Sequence, residues 1–154
     1  MALDQWNEEA KTNIRCLPKY GHVEKTAGQL EADTIFIQNT LTEFTSKRLA
    51  SEHLIDLGFK YIYHDVKTAM YRFNQAYLLD STNSDIYWGY GGVYMILQDY
   101  PRAKEQYEEG LLHDCYYFKE DCKNAVYYYK RCKSLGGQPL TKQFVDSLQT
   151  KCKF

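Results

Sequence analysis

SDIYWGYGGVYMILQDYPRAKEQYEEGLLHDCYY, residues 84–117, reads as two helices closed on one another. Its first half carries Tyr87, Tyr90, Gly91 and Tyr94 at three- and four-residue spacing, and its second half carries Ala103, Tyr107 and Gly110. Asp99, Tyr100 and Pro101 stand between them. Small residues on both halves suggest a close approach: Gly91 is expected to face Ala103, with Tyr94 and Tyr107 filling the space around that contact. Each aromatic buried in this way contributes about 1.5 to 3 kcal/mol. Pro101 fits the first turn of the second helix, where its missing N–H leaves no bond unmade.

Immediately upstream, residues 51–83 carry the same pattern as Leu54, Leu57, Gly58 and Tyr61, followed by Ala69, Phe73 and Ala76. The two segments align if one residue is removed from the turn at Tyr63, His64 and Asp65. Thr82, Asn83 and Ser84 then form the turn and helix cap between the two units. This pattern resembles the tetratricopeptide repeat of bacterial type. The segment 84–117 meets the family's large, small and aromatic positions, although Cys115 stands where a proline is usual, as Ser81 does in the earlier unit. The resemblance implies an all-α fold, a short right-handed superhelix of six to seven helices. Two clear repeats span 51–117, and roughly three units are normally needed for a stable array, so the flanks must supply the missing surface.

The flanks are read as parts of the same domain. Residues 1–27 predict an arm with a short helix over about 4–15, broken by Leu17, Pro18 and Gly21, with Trp6 and Ile14 packing back. Residues 28–50 predict a capping helix, on which Leu30, Phe36 or Ile37, Leu41 and Phe44 recur on one side. Residues 118–154 read as a degenerate repeat and closing helices. One helix is expected over 117–134, in a register set either by Ala125 and Tyr128 or by Asp121, Ala125 and Tyr129. It ends at Gly136 and Gly137. A second is expected over 140–151, with Phe144, Val145 and Leu148 as its apolar side.

A net charge of −1 gives no overall attraction to nucleic acid or membrane, but residues 119–154 carry eight Lys and Arg against three Asp and Glu. No apolar run is long enough to span a membrane. The acidic, polar start lacks the pattern of a signal peptide. A cytoplasmic location is therefore expected, or a periplasmic one if a leader has been removed. The cysteines, Cys16, Cys115, Cys122, Cys132 and Cys152, contain no CxxC pair. Packed free thiols are one reading and a disulfide clip near the C-terminus is the other.

Little points to catalysis. The four histidines, His22, His53, His64 and His113, are scattered without metal spacing, and no nucleophile motif is present. Gly89 to Gly92 lacks the lysine and hydroxyl residue of a phosphate loop and sits inside the helical pattern. The stretch 116–133 is rich in tyrosine and lysine, but a buried stripe of Cys122, Ala125, Tyr129 and Cys132 accounts for it better than a nucleic-acid surface does. The reading is of a protein that is not an enzyme, with no cofactor and no metal, a monomer or weak dimer.

What the resemblance adds is a groove. Family positions that line the concave surface correspond here to Glu52, Ile55, Asp56, Phe59, Ile62 and Tyr63 in the first unit. In the second they correspond to Asp85, Trp88, Gly89, Gly92, Met95 and Ile96. None is Lys, Arg or Asn, so a clamp for a carboxylate tail is not expected. The surface suits an apolar helix or extended segment of a partner protein, with a basic flank. Alternatively, Trp6 of the arm fills this groove. Family membership implies an adaptor or scaffold, and an immunity protein that occludes a toxin enzyme is the second reading.

Overall fold

The structure, a computed structural model, describes residues 1–117, 126, 130 and 142–153, with 114–117 described by backbone alone. The described residues form seven α-helices and no strand. These are α1 (Leu3–Ala10), α2 (Ala27–Thr40), α3 (Lys47–Tyr61), α4 (Val66–Leu79), α5 (Asp85–Ile96), α6 (Tyr100–Tyr117) and α7 (Lys142–Cys152). Short 3-10 turns at Ile14–Cys16 and Pro18–His22 complete the arm. Most of the helix expected over 117–134 lies outside the described residues, as do the side chains of Cys115, Cys122 and Cys132.

Local capping chemistry sets the helix starts. Thr26 and Gln29 cap α2 reciprocally, with Gln29 N–H donating to Thr26 Oγ1 at 3.3 Å and Thr26 N–H donating to Gln29 Oε1 at 2.9 Å. Ser46 Oγ accepts from Leu49 N–H at 3.1 Å and so opens α3 at Lys47, several residues before the expected repeat boundary. The expected capping helix over 28–50 is accordingly two elements, because α2 ends at Thr40. Asp65 and Asp99 cap the second helix of each pair, accepting from Thr68 N–H at 3.1 Å and Arg102 N–H at 3.2 Å. Ser84, expected as a cap, makes no such bond. Its neighbour Asn83 is fully buried and accepts from Asp85 N–H at 3.2 Å instead.

Helices α3 and α4 pack as one hairpin and α5 and α6 as the next, with α4 against α5 and α7 against α6. This order is that of a short helical superhelix. The two hairpins are joined through one ring: Phe73, fully buried on α4, is wedged between Gly58 of α3 and Gly89 of α5. A Cβ at either glycine would come within 2.4 Å of that ring. Gly91 makes the same room for Tyr107, whose Cε1 would lie 2.2 Å from such a Cβ. Gly58 and Gly91 thus receive the aromatic of the following helix rather than Ala69 and Ala103, which are themselves buried. Tyr90 meets Phe73 edge-on at 6.3 Å and Tyr87 at 6.2 Å, continuing the aromatic core.

Leu30, expected on the apolar side of the capping helix, is 54% exposed, and one expected core position of the repeats is also wrong. Tyr94 is buried, but its counterpart Tyr61 is 40% exposed, and Ile62 is buried in its place. The shorter first turn accounts for this, because α3 stops at Tyr61 and its C-cap residue Ile62 turns inward.

The arm lies on the second helices. Trp6 is fully buried, Asn7 accepts from Arg102 Nη2 of α6 at 2.6 Å, and Glu9 pairs with Lys67 of α4 at 2.8 Å. Asn74 of α4, also fully buried, holds the arm by its backbone. Its Nδ2 donates to the carbonyls of Arg15 (3.0 Å) and Leu17 (2.9 Å), and its Oδ1 accepts from Lys19 N–H (2.8 Å) and the Tyr90 hydroxyl (2.8 Å). At the other end, Phe144 and Leu148 of α7 are buried with Leu111 and Leu112 of α6 beside them. Cys16 is a free, buried thiol, while Cys152 is disulfide-bonded, so a reading in which all five cysteines are free does not hold.

Candidate functional site

On α3, Glu52, Asp56 and Phe59 follow one another at spacings of four and three, with Tyr63 four further on in the turn after the helix, and all four are exposed. On α5, Asp85, Trp88, Gly92 and Met95 follow at three, four and three, and Gly92 alone of these is half-buried. Both spacings put the residues on one side of a helix. The stripes meet where Ile62 packs on Gly92, since a Cβ at Gly92 would lie 2.9 Å from Ile62 Cδ1. The result is an apolar face with Phe59 41%, Tyr63 80%, Trp88 42% and Met95 44% exposed.

The aromatic rings are held from beneath. Phe59 rests edge-on against Phe73 at 5.2 Å, so its ring is anchored to the residue that joins the hairpins. Trp88 lies 5.1 Å from the ring of Tyr107, inclined by 35°. Burial raises the Tyr107 phenol above its ordinary value, with a smaller contribution from the neighbouring Tyr63 phenol, so Tyr107 stays neutral over the physiological range.

The face has an acidic border. Glu52 is engaged by Arg48 at 2.9 Å, and Arg48 also reaches Asp80 at 3.6 Å. Asp56 and Asp85 have no cationic partner among the described residues. No lysine or arginine stands on the two stripes.

Not every residue expected in the groove is on this face. Ile55 and Ile62 are buried at 5% and 6% exposure, and Gly89 is closed off by Phe73. The reason is positional. Ile55 and Ile62 sit one repeat earlier than Trp88 and Met95, on the side of α3 that α5 covers. Trp6 does not fill the groove either, since the arm runs along α4 and the start of α6. Sequence reasoning placed Tyr107 in the core and so missed its stacking under Trp88. It also missed Tyr61, whose exposure follows from the shortened turn, a signal present in the alignment of the two units. Among the described residues no cluster of three or more His, Cys, Asp or Glu could hold a metal ion, and no helix is long and apolar enough to cross a membrane.

Fold and face together define a class: an all-α chain of stacked helical hairpins with an exposed aromatic stripe and an acidic border. Comparison with protein-family models, with curated proteins and with solved structures finds no match for this chain.

Proposed function

We propose that this chain is a short tetratricopeptide-like array that binds a helix or peptide of a partner protein on the α3–α5 face. The observation that carries the reading is the unequal burial of equivalent positions. Ile55 and Ile62 are buried on the side of α3 that α5 covers, whereas Trp88 and Met95, at the same positions of α5, are exposed. An apolar helix laid on α5 would repeat the packing that α5 already makes on α3. Interface anchors are typically large aromatics, and Trp88 and Phe59 have the size, partial burial and rigid backing of such anchors. The unpaired Asp56 and Asp85 favour an occupant with Lys or Arg beside its apolar stripe.

The test compares partner capture by the intact chain and by a Phe59→Ala/Trp88→Ala variant whose helix content is first checked by circular dichroism. The expected result is a partner that is lost in the variant and returns with the restored residues. Its affinity for the intact chain should fall as salt is raised, because the acidic border acts through screened charge. Capture of the same proteins by both forms would refute the reading.

A further inference from the structure

Between the arm, α2 and α4 lies a cavity of about 250 Å³ that shares no lining residue with the α3–α5 face. Phe36 of α2 and Tyr71 of α4 supply aromatic walls, and Ile14 and Leu78 add aliphatic surface. Tyr20 closes it from the arm. It belongs to an unusual turn in which Lys19, Tyr20, Gly21 and His22 have φ of 55°, 57°, 64° and 53° in succession. For each non-glycine residue that left-handed region is unfavourable, because Cβ crowds the following carbonyl oxygen. The turn is held by Lys19 N–H, which donates to Asn74 Oδ1 at 2.8 Å and to the Tyr90 hydroxyl at 3.2 Å. Local strain sustained by surrounding structure is a feature of ligand sites.

Three charged side chains line the cavity, and their partners differ. Lys25 Nζ stands 3.5 Å above the centre of the Tyr20 ring and is paired with Asp33. The Arg15 guanidinium carbon sits over the Tyr71 ring, 3.7 Å from its centre, and the side chain pairs with no carboxylate among the described residues. The Tyr20 hydroxyl donates to no group among the described residues. One cation and one neutral donor are therefore left to a ligand, within walls that include three aromatic rings. A guanidinium backed by an aromatic ring presents its planar fork to a carboxylate, two parallel N–H donors to two oxygens.

We propose that this cavity binds a small aromatic monocarboxylate, with its ring among Phe36, Tyr71 and Tyr20 and its carboxylate on Arg15. Size restricts the ligand: the cavity falls just below the roughly 300 to 1,000 Å³ of drug-sized sites, enough for one ring and a short acidic arm. A single uncompensated positive charge matches a monoanion better than a phosphate ester.

The test titrates the full chain with 3-phenylpropionate and, in parallel, with the neutral 3-phenylpropionamide, following backbone and arginine side-chain NMR resonances. Saturable shifts at Arg15, Tyr20, Tyr71 and Phe36 are expected with the acid at or below about 1 mM, and the amide should bind at least about tenfold more weakly. Arg15→Gln should weaken the acid by about tenfold or more while leaving arm resonances in place, and Tyr20→Phe should weaken it by less. Ala32→Phe, which adds a ring to the cavity wall from α2, should abolish binding. Equal binding of acid and amide, an Arg15→Gln variant that binds as the intact chain does, or no saturable shift would each overturn the proposal.

Discussion

Asp65 shows how much a single side chain fixes. Its Oδ1 accepts from Thr68 N–H at 3.1 Å and its Oδ2 from Thr68 Oγ1 at 2.6 Å, which closes the first turn of α4. Asp65→Ala should cost about 1 kcal/mol in urea unfolding at neutral pH, and Asp65→Asn much less, since the amide oxygen can still accept. The same bonds to Thr68, first from its side chain and then from its backbone, lower the Asp65 pKa below 3.8. Because the folded pKa is the lower one, this contribution is fully present above the unfolded pKa and is lost as pH falls through the folded pKa. The stability difference between the native chain and Asp65→Asn should therefore shrink as pH falls below about 4, and a difference independent of pH would contradict that assignment. Gln98 presents the opposite case, a residue the structure holds at φ 61° just before the Asp99 cap. Gln98→Gly relieves a left-handed conformation that costs roughly 1 to 2 kcal/mol, partly offset by about 0.4 to 1 kcal/mol of added unfolded-state freedom. A rise in the urea midpoint is expected.

Among the elements, the two hairpins and the arm's short helix with its buried Trp6 were legible in the sequence, and the arm's place on α4 was not. Gly58, Ala69 and Phe73, like Gly91, Ala103 and Tyr107, are spaced by helical geometry, and short-range periodicity is what a single sequence displays best. The arm's position depends on Asn74, a polar residue inside an otherwise apolar stripe of α4, whose partners lie more than fifty residues away. Nothing local to Asn74 announces that it reads the backbone of Arg15, Leu17 and Lys19. The candidate face shows the same division. Phe59, Tyr63, Trp88 and Met95 are exposed as their repeat positions imply, while Ile55 was misplaced because its burial depends on how closely α5 stacks on α3. Asn74→Leu keeps the branched shape of the side chain but takes away the donor to the Arg15 and Leu17 carbonyls and the acceptor of the Tyr90 hydroxyl, and leaves Lys19 N–H only its longer bond to Tyr90. It should destabilise the chain by roughly 3 kcal/mol or more. Hydrogen exchange should show the loss first at 11–22, with α5 and α6 following only near global unfolding. Uniformly faster exchange across all helices, with the arm still protected, would mean that Asn74 is not what holds it.

At the scale of the whole molecule, the question is whether the stack unfolds as one body or by units. Repeat arrays are quasi-one-dimensional, so distant units can separate when the contact between neighbours is weak. Here the contact between neighbours contains Phe73, fully buried and shared between Gly58 of the first hairpin and Gly89 of the second. The arm adds a second tie, since it bonds to Lys67 and Asn74 of α4 and to Arg102 of α6. The chain has two tryptophans, Trp6 on the arm and Trp88 on α5, so each can report on one region once the other is replaced. Trp6→Phe removes an indole N–H that is buried without a hydrogen-bond partner among the described residues, which partly compensates for the volume it gives up. Trp88→Phe changes a half-exposed ring. Urea unfolding followed by fluorescence in each single-tryptophan variant should give midpoints that coincide with the loss of helix measured by circular dichroism on the same variant. Adding Phe73→Ala removes the shared ring and should cost about 3 to 5 kcal/mol. It should also pull the Trp88 signal away from the helix signal, because the second hairpin then keeps fewer ties to the first. Coincident transitions in that variant would show that the arm alone is enough to make the stack cooperative, and separate transitions already in the parent variants would show that Phe73 does not unite the two hairpins.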